Sequence, residues 1–172
     1  MMATSAKKLH EVLFSDLDHE LQTTRRMLER YPSGHGDWKP HEKSMPFGSL
    51  AAHVADIPSY GTMILNTDGL DFGANPPSPS KPRETAAELV AAFDKHVAAL
   101  QASLTTMDAE RADSSWTLRQ GEKVFFSQPK SDLVRHMTIN HLIHHRAQLG
   151  VYYRMLGVPV PGSYGPSADE PM

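Results

Sequence analysis

Residues Asn140–Gly150 read NHLIHHRAQLG, with histidines at 141, 144 and 145. The stretch lies inside the longest run compatible with a helix, which the sequence predicts from Asp132 to about Leu156, capped by Ser131 and stopped by Gly157 and Pro159. At 100° per residue, His141 and His145 lie about 40° apart on one helical face, one turn from each other. One helix can offer two imidazoles to one metal ion at this spacing. His141 and His144, three apart, form a second possible pair. His136 falls about 140° from His141 on a regular α-helix and joins neither. A pair at this spacing also occurs on solvated helix faces, so the pattern becomes a site only with a third ligand from elsewhere.

The best source of that ligand is the second predicted helix, from about Pro46 to Leu65, with Ser44 as N-cap and Pro46 in its first turn. Leu50, Val54, Ile57, Gly61 and Ile64 form its apolar stripe. His53 sits one turn from Leu50 and Ile57 on that stripe, where an imidazole needs something to satisfy its nitrogens. Pro58 predicts a kink or break. The other histidines, His10, His19, His35, His41 and His96, read as solvated.

Two further helices complete the pattern. Leu9, Leu13, Leu17, Leu21 and Leu28 mark an amphipathic helix over residues 5–30, with Val12 and Met27 among its apolar positions. Thr85 and Glu88 form a capping box that opens another, reaching about Leu104, with Leu89, Val90, Phe93, Val97 and Leu100 as core positions. The proline-rich segment 67–84 is long enough for a crossover connection. Residues 116–126 (WTLRQGEKVFF) read as a hairpin around Gly121. The expected architecture is all-α: a four-helix bundle with a long crossover and a small β-hairpin before the last helix, in a single domain over residues 1–172.

Composition narrows the function. The 172 residues carry a net charge of -3 with histidines neutral, which argues against nucleic acid as a partner. There is no cysteine, so any metal must be held by His, Asp or Glu. No run approaches a membrane span and the N-terminus lacks a signal-peptide core, so a cytoplasmic protein is expected. HExxH, the Glu-x-x-His of di-iron bundles, the Walker loop, GxGxxG and GxSxG are missing, which leaves a mononuclear, histidine-rich site as the available chemistry.

Two long motifs, WKPHEKSMPFGSLAAHVADIP around His53 and HLIHHRAQLGVYYRMLGVPVPGSYGPSADE from His141 onward, resemble the DinB/YfiT-like superfamily of metal-binding four-helix proteins. The resemblance spans nearly the whole chain. It implies a divalent metal held by one histidine on the second helix and an i,i+4 pair on the last: His53, His141 and His145, with His144 outside the set. Ala147 stands where many relatives carry glycine. Some members use low-molecular-weight thiols, so the resemblance implies a thiol S-transferase-like enzyme acting on a small-molecule substrate. The alternatives are a metal-dependent hydrolase or a non-catalytic, stress-related metal-binding bundle. Relatives often form homodimers, and the same is expected here.

Three neutral imidazoles would leave a metal its full charge and an open position, and zinc and nickel both suit imidazole. A bound thiol would be held as thiolate, and bound water would acidify. Around the ligands, Gln148 lies within about 20° of His141 in phase and reads either as facing the site or as a polar residue packed at the bundle end. Asp56, three residues from His53, reads as an orienting carboxylate, a base or a solvated side chain. Arg146 reads as a structural partner for a carboxylate, with an anionic substrate as the alternative. Tyr152 reads as core.

Overall fold

A computed structural model describes residues 7–171. It is mostly helical, with one small three-stranded sheet. The first predicted helix is broken into α1 (Leu9–Leu13) and α2 (Leu17–Glu29), and Ser5 and Ala6 lie outside the described residues. The break turns Phe14 and Leu17 into the core and leaves Val12 and Leu13 exposed, contrary to the periodic reading. Arg135 fastens the corner, donating to Asp16 Oδ2 (2.7 Å) and to the Leu13 carbonyl (2.9 Å).

α3 (Phe47–Asp56) starts one residue later than expected. Pro46, not Ser44, is its N-cap, in an extended conformation (φ -56°, ψ 146°). The expected break at Pro58 is present: α3 ends at Asp56 and α4 (Pro58–Asn66) begins at the proline, which has no N–H to continue the ladder. Ile57 stays helical between them and its N–H still reaches the His53 carbonyl. Across this break the His53 and Tyr60 rings stay near each other, with centroids 6.1 Å apart.

The crossover is more structured than its composition suggests. Residues Gly69–Asp71 form β1, which pairs in parallel with β2 (Ser115–Gln120), and β2 pairs antiparallel with β3 (Lys123–Pro129). The two-stranded hairpin thus becomes a three-stranded sheet in the order β1-β2-β3. Gly69 permits the extra pairing, because a Cβ there would lie 2.4 Å from the Thr117 carbonyl oxygen. Gly121 makes the hairpin turn at φ +60°.

α5 (Ala86–Thr105) opens on the expected capping box: Glu88 N–H donates to Thr85 Oγ1 (3.2 Å) and Thr85 N–H to Glu88 Oε2 (3.1 Å). A short α6 (Ala109–Asp113), capped by Asp108, follows. Of the expected α5 core, Leu89, Phe93 and Leu100 are buried, while Val90 and Val97 are only partly covered.

The last predicted helix runs as α7 (Lys130–Val134), a π-helical turn (Arg135–Asn140) and α8 (His141–Met155). Pro129 is its N-cap, not Ser131. At its end Gly157 adopts φ +71°, Gly157 N–H donates to Arg154 O, and Val158 N–H to Tyr153 O, the Schellman pattern.

α2 and α3 each pack on both α5 and α8, which sets α3 against the last helix. Phe47, Phe93, Trp116 and Tyr153 are fully buried, each contributing on the order of 1.5–3 kcal/mol of apolar burial. Among the described residues, no helix is long and apolar enough to cross a membrane.

Candidate metal centre

The packing of α3 against α8 brings His53 to His141 and His145. Their ligand-capable nitrogens all lie within 4.8 Å of one another, and all three side chains are half-buried. His53 Nε2 and His141 Nε2 are 3.2 Å apart. Ring centroids are separated by 5.0 Å (53–141), 4.6 Å (53–145) and 4.7 Å (141–145).

Two of the rings have their other nitrogen engaged. His145 Nδ1 lies 2.7 Å from Gln148 Oε1, an acceptor for its N–H. His141 Nδ1 lies 3.3 Å from the Met137 carbonyl. Each contact favours the Nδ1–H form and leaves Nε2 with a free lone pair. Burial, and next the charges of His145 and His141, push His53 down to about 4, against the opposing influence of Asp56. Burial also lowers His141 and His145, opposed by their hydrogen bonds to Met137 and Gln148. At neutral pH the cluster is uncharged, the state in which imidazoles bind metal.

These residues fit a divalent ion. Two Nε2 atoms joined to one ion by ~2.1 Å bonds at a tetrahedral angle stand about 3.4 Å apart, close to the 3.2 Å between His53 and His141. Without an ion, that contact sets two ring nitrogens against each other for at most one hydrogen bond. A shift of at most about 1.4 Å would bring the remaining nitrogen, within 4.8 Å of the others, to the ~3.4 Å separation of a shared ion.

The neighbouring candidates separate. His144 is exposed, and although its ring lies 4.7 Å from that of His145 it is not part of the three-nitrogen cluster. Asp56 does not stand free as a base: its Oδ1 accepts from Arg83 Nη2 (2.8 Å), and Arg83 Nη1 reaches the Ala52 carbonyl (3.3 Å). His96 Nε2 lies 3.8 Å from the same carboxylate and is half-buried, not solvated as expected.

Arg146 points away from the histidines. It is 2% exposed and forms a 2.6 Å ion contact with Glu20 Oε2, off hydrogen-bond alignment, while donating to the Glu20 carbonyl (3.1 Å) and to Tyr164 Oη (3.0 Å). These contacts tie α8 to α2 and to the C-terminal segment. Tyr152 is buried, donating to the Met45 carbonyl (3.1 Å).

One neighbour escaped the sequence reading. Tyr60 stacks on His141 (5.9 Å between centroids, 15° between planes) and lies 6.1 Å from the His53 ring. Burial, and then Asp56, raise its phenol, so it stays protonated. Seven residues separate it from His53, a phase difference of about 20° on a regular helix, and the helical dihedrals of Ile57 keep that relation across the junction of α3 and α4.

The DinB family model matches residues 2–171. The chain is 27% identical over 165 residues to the uncharacterized protein YrdA of Bacillus subtilis (strain 168), covering 92% of this chain and 93% of that protein. Its fold is similar to the crystal structure of a DinB-like protein from Bacillus cereus ATCC 10987, with a TM-score of 0.65 at 21% identity, over 90% of this chain and 97% of the other. It is also similar to the DinB-like protein YjoA of B. subtilis, with a TM-score of 0.64 at 18% identity, over 86% and 96%. With the family model spanning residues 2–171, this chain belongs to the DinB family.

Proposed function

We propose that this protein is a divalent-metal-dependent enzyme of the thiol S-transferase type, built as a four-helix bundle, with His53, His141 and His145 as the metal ligands. The observation that carries the reading is the convergence of three uncharged imidazoles from two separate helices on one point. Zinc and nickel are the ions best matched to an all-imidazole set.

A bound divalent ion would supply a Lewis acid that favours the thiolate form of a small thiol. The chain's own residues do the rest. Gln148 and the Met137 carbonyl hold the Nδ1 protons of His145 and His141, so that their Nε2 lone pairs face inward. The Tyr60 ring covers one side of His141. Its phenol stays protonated and so keeps a hydrogen to donate. The net reaction forms a carbon–sulfur bond as the electrophile's bond to its leaving group breaks, and the thiol proton passes to water.

The test is to load the metal-free protein with cobalt or nickel and titrate it with several low-molecular-weight thiols. A sulfur-to-metal charge-transfer band in the near ultraviolet, lost in His141→Ala, is expected. Absence of the band with every thiol, together with ester hydrolysis by the zinc-loaded protein, would replace the transferase reading with a hydrolase.

A further inference from the structure

We propose that the π-helical turn Arg135–Asn140 is a positioning device for His141: the carbonyl it releases from the helix ladder, that of Met137, fixes the imidazole as the Nδ1–H form and directs Nε2 at His53. The proposal rests on the metal-site reading above, but its first test needs no metal.

The helix passes from four-residue pairing in α7 to five-residue pairing over Arg135–Asn140 and resumes as α8 from His141, whose own N–H reaches the Thr138 carbonyl and not that of Met137. A return from five-residue to four-residue pairing skips one carbonyl, which is then free to accept from elsewhere. The carbonyl four residues before His141 is Met137's. In an unbroken α-helix it would accept the backbone N–H of residue 141. Here the imidazole Nδ1 of that residue lies 3.3 Å from it.

Core packing explains why the wider turn forms. Val134 and Ile139 are both fully buried. Five residues apart, they would stand about 140° apart on an α-helix, and a π turn brings them onto one face, as i,i+4 residues are on an α-helix. Its effect on packing is visible at Thr138, whose buried Oγ1 has no hydrogen-bond partner, whereas a helical threonine commonly bonds back to the carbonyl four residues earlier. The bulge presses on α4 where the neighbour is Gly61: a Cβ there would lie 3.0 Å from Thr138 Oγ1 and 2.7 Å from Leu100 Cδ1. The sequence thus carries both the five-residue core step and the glycine that makes room for it.

Nitrogen-15 NMR of the metal-free protein at pH 7.5 reads the tautomer directly. His141 is expected to carry its proton on Nδ1, and an Nε2–H signal would overturn the proposal. Deleting His136, an exposed residue of the turn, restores four-residue pairing. A folded deletion variant is expected to show mixed tautomers at His141 and a zinc affinity 10- to 100-fold lower. Wild-type zinc affinity in that folded variant would also overturn it. If the deletion variant does not fold, the wild-type spectrum decides alone. Failure of the wild-type protein to bind zinc would sink the metal-site reading while leaving the tautomer result intact.

Discussion

At the scale of single residues, the site depends on which nitrogen of each ring carries the proton. The 2.7 Å contact from His145 Nδ1 to Gln148 Oε1 is the shortest such constraint. Gln148→Ala removes the acceptor without touching a ligand. Competition with a chromophoric chelator is expected to show zinc affinity lowered 10- to 100-fold, with stoichiometry unchanged. His53 makes a second prediction possible. Its folded value near 4 lies below the ordinary 6.5 of imidazole, so between those values the unfolded chain binds more protons than the folded one. Stability of the metal-free protein is therefore fully present above pH 6.5 and lost as pH falls toward 4. Urea unfolding across that window should show a falling midpoint in the wild type and a flatter profile in His53→Ala.

At the scale of elements, periodicity identified the long helices, because apolar residues three and four apart recur regardless of what they pack on. It failed where the chain changes direction or pitch. Phe14 and Leu17 turn inward together only because α1 bends away from α2, and nothing local in that stretch marks the bend. β1 is three residues long and pairs with a strand more than forty residues away, so it has no local signature. The π turn left a trace in the five-residue step from Val134 to Ile139, which a fixed 100° rotation does not register. Gly61 tests this packing. Alanine in its place gains about 1 kcal/mol of helix propensity but forces a methyl into Leu100 and Thr138, at about 1–3 kcal/mol. Denaturant unfolding of Gly61→Ala is expected to show a net loss on the order of 1 kcal/mol; a clear gain would mean that the space is larger than the packing implies.

At the scale of the whole molecule, a buried ion pair and a histidine cluster occupy different sides of α8. Arg146 and Glu20, each 3% exposed at the side chain, join α2 to α8, with Tyr164 Oη donating to Glu20 Oε1 at 2.9 Å. Removing only the arginine leaves a buried carboxylate without its cation, so Arg146→Ala is expected to cost about 3–5 kcal/mol in chemical unfolding. Replacing both partners, as Glu20→Leu with Arg146→Met, should restore most of that.

The histidine cluster was partly legible: a third imidazole on an apolar stripe and histidines one turn apart are local signals, but spacing left His144 and His145 both open as partners of His141, and the family resemblance, not the periodicity, pointed to His145. Tyr60, Met137 and the Arg83–Asp56 pair were not legible, since their placement follows from tertiary packing. The convergence of His53, His141 and His145 on one cation is tested most directly by elemental analysis of protein purified without an affinity tag, comparing wild type, His53→Ala, His141→Ala, His145→Ala and His144→Ala. The expected result is about one divalent metal per chain in wild type and His144→Ala, and loss of tightly bound metal in the other three. Full metal content in His53→Ala would contradict the two-helix site.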